Sequence, residues 1–158
     1  MNKSFIRHSL SLCIGIESLF LMLTSLIALI YHERGFLAYF LTGLIVGLPT
    51  LYRIYKRPKN SVFFAKEGFV LVALSWIVLS MIGAIPLLLL GEASNFVDAL
   101  FEIVSGFTTT GATIMNDVTA LTHATLFWRS FTHWIGGMGM LVFALAILPG
   151  TEGRAMYI

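Results

Sequence analysis

The uncharged run Thr108-Thr109-Thr110-Gly111-Ala112-Thr113 combines hydroxyls, small side chains and one glycine. In extended form such a segment can turn successive backbone carbonyls toward one axis, and rings of carbonyls that replace an ion's hydration shell are how potassium filters work. The chemistry is coordination of a dehydrated cation, with no covalent step and no enzyme. Gly111 has a physical part in it. Aligning adjacent carbonyls on one side of a strand needs backbone angles that L-residues reach only at a cost, and glycine reaches them freely. Taken alone, a threonine-rich loop with one glycine also reads as an ordinary polar loop, so its meaning depends on the elements beside it.

Upstream, Gly91 to Asn95 is a polar break in which Ser94 or Asn95 can cap a helix, and Asp98 adds negative charge to the first turn. Phe96 to Phe107 reads as a helix of about 12 residues, or about 18 Å at 1.5 Å per residue. That is too short to cross a bilayer. A helix of this length enters about halfway and must return, which puts non-helical backbone at membrane depth, where only surrounding protein or a watery cavity makes it tolerable. The helix aims its partially negative C-terminal end at the threonine run, which favours a cation over an anion. Between this helix and a long apolar one, the run becomes a candidate pore loop.

Four longer apolar runs approach the roughly 20 residues that a helical span requires. They extend from Leu10 to Tyr31, Phe36 to Tyr55, Gly68 to Leu90 and Leu126 to Leu148. The chain is 58% hydrophobic and 11% charged, with a mean hydropathy of +0.89. That leaves too little polar surface for a water-facing globule, where about a quarter of residues are charged. A soluble enzyme, a disordered tail and a nucleic-acid binder are therefore poor readings. The first run exceeds a signal peptide's apolar stretch and lacks an Ala-x-Ala-like cleavage site, so it reads as a retained helix. Cys13, the single cysteine, offers neither an internal disulfide nor a Cys-x-x-Cys site.

Orientation follows from the basic residues. Arg53, Lys56, Arg57, Lys59 and Lys66 join the second and third spans, and the positive-inside rule places that segment in the cytoplasm. The N-terminus with Lys3 and Arg7 is then cytoplasmic as well. The His32-Glu33-Arg34-Gly35 turn and the stretch from Leu90 to Leu126 face outward, and Arg154 returns the chain inside.

The stretches Phe107-Thr-Thr-Thr-Gly-Ala-Thr-Ile114 and Trp134-Ile-Gly-Gly-Met-Gly-Met-Leu-Val142, followed by Ala144-Leu-Ala-Ile-Leu-Pro149, resemble the first repeat of the Trk/Ktr superfamily of potassium uptake proteins, in its TrkH/TrkG branch. Lys66-Glu-Gly-Phe69 and Phe96-Val-Asp-Ala-Leu-Phe-Glu102 are similar to it too. The resemblance implies an all-α integral membrane fold, with a two-helix N-terminal hairpin over residues 1–60 and one membrane-pore-membrane repeat over 61–158. It implies that Thr109, Thr110, Gly111 and Ala112 carry ion-facing carbonyls, with Thr108 and Thr113 flanking them. It also implies potassium as transported substrate with no cofactor in this chain, a multi-pass protein of the inner (plasma) membrane, homodimers, and a cytosolic nucleotide-binding gating subunit. The family's other three repeats are absent, and one strand cannot surround an ion. The chain is therefore expected to be an N-terminal fragment that works with the remaining repeats. The alternatives are a homo-oligomeric channel of four copies and a membrane remnant without transport.

Several further residues carry two readings. Glu17 is a carboxylate inside the first span, which suggests a role by default, or it faces another helix. Glu102 near the filter can hydrogen-bond backbone amides in support, or touch the ion. Arg129 and His133 share a helix face; interfacial anchoring with Trp128 and Trp134 is the default, and contact with the pore loop the lesser reading. The four histidines are too scattered for a haem site. Gly43 and Gly47 suit close helix approach. Gly136, Gly137 and Gly139 each weaken a helix by roughly 1 kcal/mol relative to Ala; close packing of the returning filter loop is the expected compensation.

Overall fold

The computed structural model describes residues 3–55 and 65–147, with side chains of 65–67 and 140–147 outside the description. The described residues are all helical apart from turns and loops. They form α1 (Lys3–Ile30), α2 (Gly35–Tyr55), α3 (Ala65–Leu90), α4 (Phe96–Phe107), a short 3-10 turn at Val118–Ala120, and α5 (His123–Ile147). Lys3–Ile30, Gly35–Tyr55 and Gly68–Leu90 are long and apolar enough to cross a membrane. The stretch expected as the fourth span, Leu126 to Leu148, falls on α5 as far as Ile147; α5 starts three residues earlier, at His123, and its 25 residues extend about 38 Å. Leu148, the basic residues Lys56, Arg57 and Lys59, Arg154, and the boundary between 60 and 61 lie outside the described residues.

The first span corrects the expectation at one end. α1 begins at Lys3 rather than Leu10, because a helix can continue past the apolar core while Lys and Arg side chains reach into the headgroup layer.

Burial is inverted relative to a soluble protein. Ser11, Ser18, Thr24, Ser25, Thr42 and Thr50 are buried, whereas Leu19, Leu29, Ile45 and Leu51 are more than half exposed. With hydrocarbon outside, small and polar residues are the ones that let helices approach. Ser18 Oγ donates to the Gly43 carbonyl at 2.8 Å. A Cβ added at Gly43 would lie 3.1 Å from the Ser18 carbonyl oxygen, and one at Gly47 would collide with Ser18 Oγ. The neighbour that uses this glycine pair is α1.

The hairpin packs on the remaining helices through a few specific contacts. Tyr39 Oη and Thr125 Oγ1 are 2.8 Å apart, and Phe20 meets Phe131 with ring centres 4.3 Å apart. Trp128, fully buried, donates its indole N–H to the Gly83 carbonyl at 3.1 Å. Ile103, Phe107, Leu87 and Trp128 form the core between α3, α4 and α5.

Three helices end in the same way. His32 N donates to Leu29 O and Glu33 N to Ala28 O; Gly91 N to Leu88 O and Glu92 N to Leu87 O; Thr109 N to Gly106 O and Thr110 N to Ser105 O. Each pair is a Schellman turn, whose hinge residue takes the left-handed conformation. The hinges are His32 (φ 55°), Gly91 (φ 71°) and Thr109 (φ 56°).

Candidate functional site

α4 starts at Asn95, whose side-chain oxygen accepts from Asp98 N at 2.9 Å. Of the two caps expected, Asn95 is the one used. The helix ends 12 residues later at Phe107, and its Schellman turn sends the chain back along its own flank. Ser105 Oγ donates to the Ala112 carbonyl at 2.7 Å. One turn nearer the start of the helix, Glu102 Oε1 accepts from Thr113 Oγ1 and from Ile114 N, both at 2.6 Å. Further back, Asp98 and Glu92 line one cavity with Ile114, Asn116 and Asp117. The segment after α4 thus runs antiparallel to it and regains the face where the helix began, which is the geometry of a re-entrant loop.

Within this loop the backbone alternates. Thr109 and Gly111 have φ of 56° and 74°. Nothing lies within 4 Å of where a Cβ at Gly111 would sit, so glycine is required there by its backbone angle and not by space. Among the described residues, no hydrogen bond ends on the carbonyls of Thr109, Thr110 or Gly111. The Ala112 carbonyl differs, being engaged by Ser105. Thr108 Oγ1 donates to Val104 O at 2.7 Å and lies 2.8 Å from Thr110 Oγ1. The residues from Thr108 to Ile114 are exposed along one open side of the fold.

Support comes from α5. The Arg129 guanidinium Nη2 lies 2.7 Å from Glu102 Oε2, with the Glu102 side chain fully buried. Glu102 therefore joins three parts: the half-length helix, the returning strand and α5. This corrects the interfacial reading of Arg129 and Trp128. Arg129 faces the carboxylate behind the loop and Trp128 is core, while Trp134, 57% exposed, faces outward. His133 Nδ1 lies 2.8 Å from the Arg129 carbonyl oxygen, one turn back on its own helix.

The glycines of α5 divide by position. A Cβ at Gly136 would strike the Phe107 backbone, with the carbonyl carbon at 2.7 Å and Cα at 2.9 Å. One at Gly106 on α4 would strike Thr132. At Gly137 the nearest atom is Thr109 Cγ2 at 3.8 Å, and at Gly139 it is the Trp76 ring at 3.6 Å, both ordinary contacts. The close approach is therefore at Gly136, against the last residue of α4, and Gly137 faces the loop at normal distance.

Three supporting residues escaped the sequence reading. Ser105 holds the loop, and Glu92 and Glu33 hold α5. Glu92 Oε1 accepts from Thr122 N at 3.1 Å and Thr122 Oγ1 at 2.8 Å. Glu33 accepts from His123 N and lies 2.8 Å from His123 Nδ1, while its other oxygen accepts from Ala124 N at 3.1 Å. Partial removal from water pushes the Glu33 pKa up, but the amide donors of His123 and Ala124 and the His123 ring outweigh this and hold it below the usual value. The signal available was a carboxylate in each outer turn, since an anion belongs at a helix N-terminus. Which helix each one would reach could not be read from one dimension.

The profile of the TrkH family, described as cation transport protein, matches residues 35–157. The Trk system potassium uptake protein TrkG of Escherichia coli is 37% identical over 164 residues, which cover 99% of this chain and 34% of that protein. TrkH of Halomonas elongata is 37% identical over 161 residues, covering 99% of this chain and 33% of the relative. The crystal structure of the potassium transporter TrkH from Vibrio parahaemolyticus superimposes with a TM-score of 0.85 at 32% identity, covering 94% of this chain and 32% of that one. The chain spans about a third of the length of the curated relatives it matches. It belongs to the TrkH family of cation transport proteins.

Proposed function

We propose that this chain supplies one strand of a potassium filter in a Trk-type uptake system. The observation that carries this reading is the Thr109–Gly111 segment: its carbonyls accept no hydrogen bond among the described residues, and it is held beside the C-terminal end of a half-length helix. Potassium exchanges its water for the carbonyls of Thr109, Thr110 and Gly111. Ala112 contributes its second lone pair, the first being occupied by Ser105. Thr108, Thr113, Glu102, Gly136 and Gly137 support the strand, whereas Gly139, expected to join them, lies against Trp76 of α3. The exposed side of the loop is where the strands of three further repeats complete the ring.

On this reading residues 1–60 are a hairpin and 61–158 the first membrane-pore-membrane repeat. The protein is multi-pass in the inner membrane with a cytoplasmic N-terminus, in keeping with Arg7 and Arg53 at one end of the hairpin. Homodimerisation and gating by a cytosolic nucleotide-binding subunit belong to the same proposal.

The test is potassium-limited growth of an uptake-deficient host carrying the complete transporter, with and without Gly111→Ser. The expected result is rescue by the unchanged protein and failure of the variant at equal membrane abundance. Equal rescue would falsify the assignment of the strand.

A further inference from the structure

At the end of the hairpin away from the Tyr31–Arg34 turn, α1 and α2 flank an open-sided cavity of about 270 Å³ lined by Ser4, Arg7, His8 and Arg53. Among the described residues no carboxylate lines it. Arg7 Nε donates to the Lys3 carbonyl at 3.3 Å, which fixes the guanidinium at the cavity wall. His8 Nδ1 is buried with no hydrogen-bond partner among the described residues. Two guanidinium groups and an unpartnered imidazole nitrogen around one space form an arrangement that an anion relieves. Guanidinium forks match the oxygens of a phosphate in particular.

The depth of the cavity follows from helix length. α1 has 28 residues and extends about 42 Å, against a hydrocarbon core of about 30 Å. With Ile30 at one surface, its first two turns stand in the opposite headgroup layer. α2, with 21 residues, brings Arg53 in its last turn to the same layer. Below the cavity, His8, Leu12 and Ile16 follow one another at four-residue spacing on one face of α1, and Leu12 and Ile16 are 40% and 57% exposed. A basic space at headgroup depth therefore continues into an apolar strip.

We propose that this cavity is a binding site for the phosphate of an anionic phospholipid, with the acyl chains along Leu12 and Ile16. The inference is independent of the filter reading, and its test does not involve transport.

The experiment is native mass spectrometry of the full chain in mild detergent with phosphatidylglycerol, with phosphatidylethanolamine of the same acyl chains, and with inorganic phosphate. Phosphatidylglycerol is expected to be retained at least about fivefold over phosphatidylethanolamine, the effect of roughly one basic side chain beside an anionic surface. Arg7→Gln combined with Arg53→Gln is expected to abolish the difference while circular dichroism shows unchanged helix content. Should that variant fold poorly, a salt titration of the unchanged chain serves instead: the preference falls as salt rises. Equal retention of the two lipids, an unaffected double variant, or a preference indifferent to salt overturns the proposal. Displacement of the lipid by an equal concentration of inorganic phosphate overturns the lipid as the source of the anion.

Discussion

Thr109 occupies the hinge of a Schellman turn, a position where glycine is usual and a β-branched residue is strained. Thr109→Gly is therefore expected to raise the thermal unfolding midpoint, since the left-handed conformation costs an L-residue roughly 1–2 kcal/mol. An unchanged or lowered midpoint would contradict the strain. Gly111 makes the opposite case: Gly111→Ala fits sterically yet should destabilise the loop by a similar roughly 1–2 kcal/mol, seen as lower stability with no change in helix content. The Glu102–Arg129 pair is tested by a double-mutant cycle. Arg129→Gln leaves a buried carboxylate unmatched and should cost about 3 kcal/mol, the low end for buried pairs because the Arg129 side chain remains 13% exposed. Combined with Glu102→Gln, the loss should be smaller than the sum of the single losses. Simple additivity would mean that the two groups do not act together.

At the scale of elements, the half-length helix was legible because its polar break, cap and length are local properties. Asn95 and Asp98 at one end and the threonine run at the other bracket Phe96–Phe107, and the helix has those bounds. The start of α1 was less legible, since apolarity marks where a helix enters hydrocarbon and not where it begins. The contact made by Gly136 was half legible. Three clustered glycines announced a close approach, but only three-dimensional packing picks out the one against Phe107. Gly136→Ala is expected to destabilise the α4–α5 contact by about 1–3 kcal/mol, because backbone atoms cannot rotate aside. Gly137→Ala should be neutral within error; equal losses at both positions would contradict the packing. The Glu33 cap on α5 has a pH signature. Its folded pKa is lowered, so its stabilisation is present at pH values above the unfolded value of about 4.3 and is lost as pH falls through the folded value. Amide protection at His123 and Ala124 should decline over that acidic window in the unchanged protein and be absent at all pH values in Glu33→Ala.

Across the whole molecule, membrane character was evident from composition, because hydrocarbon as a solvent demands apolar surface everywhere. The structure adds the inverse statement, that Ser11, Ser18, Thr24 and Thr42 are inside while Leu19 and Ile45 are outside. What single-sequence reasoning could not place were the long-range partners: Ser105 with Ala112, Glu102 with Arg129, Glu33 with His123. Each depends on how helices distant in sequence are set side by side. Ser105 and Glu102 hold an exposed strand whose carbonyls from Thr109 to Gly111 accept no hydrogen bond among the described residues, while Glu33 holds the start of α5. The claim that this strand coordinates potassium is tested most directly by anomalous diffraction from crystals of the complete transporter soaked in a rubidium salt. Rubidium density is expected beside the carbonyls of Thr109, Thr110 and Gly111, on the open side of the loop. Rubidium density elsewhere along the pore, with none beside these carbonyls, would contradict it.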